Sequence, residues 1–176
     1  MSTTKTRLMT FEEYQQIPNV DGSRYELFHG ELVEVADPVY RHSRAQRQLR
    51  LGLERAAGEA GVVEKEMPFR PLPEHEGWRA DVAFMSVERW ESIDRNGYLR
   101  GAPELVIEIR SPSNTGAKMD ERARICLEHG AREFWLVDTI RRTVRVSTST
   151  GRVTYTSGQS IPLFFGGTLA VDEIFQ

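Results

Sequence analysis

Two carboxylates stand among hydrocarbon in this sequence: Asp81 in RADVAFM and Glu108 in LVIEIR. A lone carboxylate in an apolar core is costly unless it finds a partner, a proton or a metal. If neighbouring strands bring the two acids together, they form a hard oxygen site suited to Mg²⁺ or Mn²⁺. An ion held there can activate water and offset charge on a phosphate. Pleat alternation is the plainer alternative, with Glu108 facing solvent from a half-exposed strand and Asp81 capping a strand start. That alternative weakens for Glu108 if helices cover both faces of the sheet. A third acid, Glu26 in RYELFHGEL, lies beside Arg24 near a turn. It reads equally as a surface acid or as a member of a site.

Cations accompany these acids. Arg110 comes two residues after Glu108 and shares its side of the strand. There it can hold the carboxylate ionised or contact a phosphate. Lys118 and Arg122 are four apart on a helix and share a face, which is either solvated or aimed at one phosphate. His42 and Gln46 prolong the apolar face made by Ala45, Leu49 and Leu53, so they either reach from a helix end into a site or pack and cap locally. His29, His75 and His129 fall in turns or at a helix end and receive no role. The four histidines and the one cysteine, Cys126, share no zinc-ligand spacing. There is no glycine-rich phosphate loop, serine nucleophile elbow or CxxC motif.

The elements that must position these residues follow from periodicity and punctuation. Thr10 is placed to cap a short helix over FEEYQQI that stops near Pro18. RYELFHGELVEV reads as a hairpin turning at His29-Gly30. YRHSRAQRQLRLGLERAAGEAG is helical, and Gly61 is available to end it. VVEKEMPFRPL is a strand closed by prolines, EHEGW a loop, and RADVAFM a strand. SVERWESIDRNGYLRGAP is a connection with one helical turn. ELVIEIR is a strand, SPSN caps the next helix, and AKMDERARICLEHG runs to Gly130. REFWLVD is an apolar strand, TVRVSTST and RVTYTSG form a hairpin about Gly151, and TLAVDEIF is an edge element that lids the sheet. The sum is an α/β or α+β arrangement: a mixed central sheet flanked by helices, with additional N- and C-terminal β-hairpins.

Composition bounds the rest. The 176 residues suffice for one domain, 1–176, with a sizeable core. Hydrophobic content of 39% and charged content of 28% are those of an ordinary globular protein. A net charge of −3 argues against bulk attraction to nucleic acid but leaves room for a local basic cleft. A single cysteine rules out an internal disulfide and fits a reducing compartment. No apolar run approaches the roughly 20 residues of a membrane span, and the N-terminus has no apolar signal core. The expectation is a cytoplasmic protein.

An Asp on one strand, Glu-x-Lys on the next and then a helix is the PD-(D/E)XK nuclease pattern. RYELFHGELVEV, RHSRAQRQL, RADVAF, PELVIEIRSPSN and HGAREFWLVD occur in that order. Together, over roughly residues 10–175, they resemble the bacterial Uma-type putative restriction endonuclease family. The resemblance implies a restriction-endonuclease-like core and a Mg²⁺- or Mn²⁺-dependent DNA endonuclease. It places the metal on Asp81, Glu108 and the backbone carbonyl of Ile109, with Glu26 and His42 at the rim; Gln46, on the helix face of His42, is a further rim candidate. The superfamily lysine falls at Arg110, and the family's helix lysine at Arg122, with Lys118 one turn earlier. Arginine cannot readily act as a general base, but it can hold a phosphate or steady a transition state. Catalytic candidates are therefore Asp81, Glu108, Arg110, Lys118 and Arg122. The competing expectations are a catalytically degenerate nuclease fold that binds DNA or protein, and a ligand-free structural or oligomerisation domain. A homodimer is compatible with each.

Overall fold

A computed structural model describes residues 7–18, 24–72, 74–111 and 115–176. The chain opens with helix α1 (Phe11–Gln15), which Thr10 caps in a full capping box with Glu13. Strands β1 (Arg24–Phe28) and β2 (Glu31–Val35) form a hairpin. His29 and Gly30 turn it with positive φ of 51° and 73°. Helix α2 (Tyr40–Ala57) follows, then strands β3 (Gly61–Arg70) and β4 (Trp78–Ser86). A short helix α3 (Val87–Glu91) and strand β5 (Leu99–Arg100) lead into β6 (Leu105–Ile109). Helix α4 (Gly116–Glu128) and strands β7 (Glu133–Asp138), β8 (Thr143–Thr148) and β9 (Gly151–Tyr155) come next. Strands β10 (Ser160–Pro162) and β11 (Thr168–Ala170) and helix α5 (Val171–Ile174) end the described structure.

Seven strands form one mixed sheet in the order β5-β3-β4-β6-β7-β8-β9. The β6–β7 and β3–β5 pairs are parallel and the others antiparallel. Helix α2 covers one face with Ala45, Leu49, Leu53 and Ala57, against Val82, Ile107 and Trp135. The buried Leu169, Val171 and Ile174 of β11 and α5 close the same core. Helix α4 covers the other face, its Ala123, Ile125 and Cys126 packing with Ala83, Val106 and Phe134. Because both faces are covered, all five residues of β6 are buried, Glu108 among them. Alternation toward solvent is thereby ruled out for that acid.

Several boundaries differ from the sequence expectation. Helix α2 ends at Gly58, which adopts φ +50°, and not at Gly61. Gly61 instead begins β3, where a Cβ would collide with the Met85 carbonyl and the Phe84 ring. Thr115 caps α4 by accepting from the Lys118 amide. Of the expected SPSN cap, residues 112–114 lie outside the described structure. The C-terminal segment is no edge of the main sheet: β10 and β11 pair as a separate ribbon, and β5 and β9 are the edges of the main sheet.

Candidate active site

The sheet is irregular where Asp81 lies. Val82 and Phe84 of β4 pack into the core under α2, while Ala83, Met85, Ala80 and Trp78 pack under α4. Strict alternation would put Ala80 with Val82, so the pleat slips at Asp81. Strand β3 slips opposite it, with Val63 on the α2 side and Met67 and Phe69 on the α4 side. Between them Glu66 holds a positive φ of 53°. The β4–β6 ladder also ends here, its last pair being Val82 with Ile107. Asp81 takes over where the backbones part: its Oδ2 accepts the Ile109 amide at 2.6 Å. Since N–H and C=O of one strand residue point to the same side, the Ile109 carbonyl also faces Asp81.

His42, on the first turns of α2, turns its Nε2 to the same Asp81 Oδ2 at 3.2 Å. Burial alone would lower the pKa of this imidazole, but the Asp81 hydrogen bond and charge hold it above the usual value. One turn on, Gln46 donates to the Asp81 carbonyl at 2.8 Å and to Glu66 Oε1 at 2.6 Å. The polar extension of the α2 apolar face is thus a brace between β3 and β4.

On the α4 side, Glu108 meets Arg122. Arg122 Nη2 donates to Glu108 Oε1 at 3.0 Å, and Nη1 donates to Glu26 Oε2 at 2.7 Å. Its guanidinium also stacks 4.6 Å from the Trp78 ring. Glu26 in turn accepts the Arg79 amide at 2.8 Å. All three side chains are buried, so Glu26 is no surface acid and Arg122 no solvated cation. Burial pushes the Glu108 carboxyl well above its ordinary range against the pull of Arg122, and the neighbouring Asp81, Glu26 and Glu66 push it further. Burial would lower Arg122, but Glu108 and Glu26 more than offset it and keep the guanidinium charged.

Lys118 lines the same cleft, its ammonium 5.0 Å from the Phe28 ring centroid. Burial, and then the charge of Arg122, lower its pKa. Arg110 lies just beyond the end of β6 and lines the cleft as well. It is exposed and pairs with Asp138 at 3.2 Å, not with Glu108. The cleft therefore brings together Glu26, His42, Asp81, Glu108, Ile109, Arg110, Lys118 and Arg122, with Gln46 behind its wall.

Sequence reasoning missed Glu66 and Arg24, which pair at 2.8 Å and also line the cleft. Glu66 sits in the charged run VEKEM, and Pro68 just after it, inside β3, is the kind of residue that marks a bulge. His29, given no role, clasps the buried Glu76 at 2.7 Å and Glu121 at 3.1 Å. It ties the hairpin turn to the loop before β4 and to α4.

Known proteins share this fold. Residues 11–174 match the model of the Uma2 family, described as "Putative restriction endonuclease". The chain belongs to that family. A solved structure of a putative nuclease belonging to DUF820, from Anabaena variabilis ATCC 29413, superposes with a TM-score of 0.80. It covers 95% of this chain and 97% of its own at 20% identity, a likeness that establishes the shared fold. No curated protein matches the sequence. Among the described residues no helix is long and apolar enough to cross a membrane.

Among the described residues no three of His, Cys, Asp and Glu converge as a complete ligand set. Asp81 Oδ1 and Glu108 Oε2 nevertheless have no hydrogen-bond partner among the described residues, the other oxygen of each being engaged. Two hard carboxylate oxygens and a carbonyl fit Mg²⁺ or Mn²⁺, which keep several water ligands and take the rest from substrate phosphate. The residues present fit such an ion.

Proposed function

We propose that this protein is a metal-dependent DNA endonuclease, with Asp81, Glu108 and the Ile109 carbonyl holding Mg²⁺ or Mn²⁺. The observation that carries the reading is the Asp81 carboxylate seated on the Ile109 amide, beside a buried Glu108, at the open end of the β4–β6 ladder. Membership of a restriction-endonuclease family supports it. When bound, the cation supplies water activation and charge neutralisation at the phosphate.

The protein's own groups do the rest. His42 and the Ile109 amide fix one oxygen of Asp81 and leave the other facing the cleft. Arg122 fixes one oxygen of Glu108 in the same way and offsets its charge against Glu26. Lys118, half-buried at the cleft wall, is placed to donate to a phosphate oxygen as charge develops on it. Arg110, tied to Asp138 at the cleft mouth, orients the substrate. The hydrolysis joins a water oxygen to phosphorus and breaks the opposite P–O bond, and the leaving oxygen takes up a proton.

Two observations favour a second reading, a nuclease fold that binds nucleic acid without cleaving it. Arg122 already neutralises Glu108, and the position of the superfamily lysine is an arginine engaged elsewhere. A nicking assay on supercoiled plasmid with Mg²⁺ or Mn²⁺ decides between them. The expected result is nicking by the wild type and loss of at least 100-fold in Asp81→Ala and Glu108→Ala, on the order expected when metal activation is removed. Lys118→Ala should slow cleavage while leaving Mn²⁺ binding nearly intact. Protein that binds Mn²⁺ yet nicks neither DNA nor RNA would leave the binding role.

A further inference from the structure

A recess adjoins the cleft on the far side of Arg110. Arg41, Arg110 and Arg141 line it, with Asp138, Thr139 and Ile140. Arg41, Arg110 and Thr139 line both the cleft and the recess, so the two are continuous. The three arginines come from three separate places: the first turn of α2, the end of β6 and the β7–β8 turn. Asp138 is the one acid among them. Its Oδ2 takes Arg110, and its Oδ1 accepts the Ile140 and Arg141 amides at 3.0 and 2.9 Å. That carboxylate is occupied in shaping the turn that presents Arg141.

Arg41 and Arg141 are exposed and have no carboxylate partner among the described residues. Three guanidiniums thus face one carboxylate, leaving two positive charges uncompensated in a chain whose net charge is −3. Like charges gathered this closely repel, and an anion between them relieves the repulsion. Guanidinium forks match phosphate oxygens in pairs. Ile140, which lines the recess, is 74% exposed, and Tyr40, next to Arg41 in the chain, is 79% exposed. Apolar faces next to phosphate-binding cations suit the sugars and bases of a nucleic-acid strand.

We propose that this recess is a second phosphate subsite, taking a phosphate of the DNA strand that adjoins the scissile one. The proposal rests on the nuclease reading and deepens it. The substrate is a strand with a further phosphate next to the bond cut, and not a mononucleotide ester.

The test is a salt titration of binding to a short fluorescein-labelled DNA duplex in EDTA, where no cleavage intervenes. The double variant Arg41→Gln/Arg141→Gln should bind at least tenfold more weakly at low salt. Its slope of log K against log salt should fall by about 1, the contribution of one phosphate. Arg41→Lys/Arg141→Lys should recover part of the affinity. Arg47→Gln/Arg95→Gln, which removes the same charge elsewhere, should leave the slope unchanged. Mn²⁺ binding by calorimetry should be the same in all four proteins, which also shows them folded. Wild-type affinity and slope in the Arg41/Arg141 variant would overturn the subsite and leave the metal cleft standing. An equal loss in the Arg47/Arg95 variant would overturn it in favour of bulk charge. A wild type that binds Mn²⁺ but no duplex at any salt would overturn the subsite and the DNA reading together. A wild type that binds duplex but no Mn²⁺ would remove the nuclease reading while the arginine variants still judge the recess.

Discussion

A glutamate in the middle of a fully covered strand needs a reason, and Arg122 supplies most of it. Its guanidinium joins Glu108 to Glu26 and rests on Trp78, so one buried cation meets two buried acids. Such an arrangement adds little net stability against hydrocarbon of the same volume, because all three groups are desolvated. Breaking it is another matter. Arg122→Ala leaves Glu26 and Glu108 buried with no cation bonded to either, and should cost about 3–5 kcal/mol. Denaturant titration checks this, the midpoint falling with little change in slope. A loss below about 1 kcal/mol, the range of a surface pair, would mean that water reaches both carboxylates and that Glu108 does not need Arg122. Sequence spacing placed Lys118 and Arg122 on one face of α4. It could not separate them, because the difference is how deep each residue sits against β1 and β4.

At the scale of elements, most of the order was legible, because apolar spacing and turn residues set it locally. The capped α1, the hairpin at His29-Gly30, the long α2 and the apolar β6 and β7 all follow from such signals. What was not legible depends on contacts between distant segments. The slip of β3 and β4 at Glu66 and Asp81 sets the site; Pro68 signals a break in β3, but nothing in RADVAF says that β4 slips opposite it. The end of α2 is a similar case, since Gly58 and Gly61 both look like stops. The structure separates them, and a pair of substitutions tests it. Gly58 is in open space, but its φ of +50° and ψ of −121° form a backbone conformation that L residues scarcely adopt, so Gly58→Ala should cost about 1–3 kcal/mol as strain. Gly61 lies in the β3–β4 ladder, where an added Cβ meets the Met85 carbonyl and the Phe84 ring. Gly61→Ala should cost about 1–3 kcal/mol for a different reason, overpacking. Thermal unfolding of the two variants reads both losses. A Gly58→Ala variant as stable as the wild type or more so would mean that the helix runs through Gly58 to Gly61.

Across the whole molecule the charges are sorted. Glu26, Glu66, Asp81 and Glu108 line the cleft, each beside Arg122, Arg24 or His42, while Arg41, Arg110 and Arg141 gather at the recess next to it. A divalent cation that binds only the folded cleft should stabilise the folded chain. Binding to the native state alone stabilises by RT ln(1 + [L]/Kd), about 2.7 kcal/mol when the ion is present at 100 times its Kd. For a chain of 176 residues each kcal/mol moves Tm by roughly 2–4 °C. Saturating Mn²⁺ should therefore raise the wild-type Tm by about 5–10 °C. Asp81→Asn keeps an oxygen for the Ile109 amide but loses the charge, and its Tm should not respond to the ion. Glu108→Gln keeps an acceptor for Arg122 and should likewise lose the response. Differential scanning calorimetry with and without Mn²⁺ reads all three proteins. If the wild-type Tm stays fixed, or if the Asp81 and Glu108 variants shift as much as the wild type, the ion is not held by these carboxylates and the cleft is no metal centre.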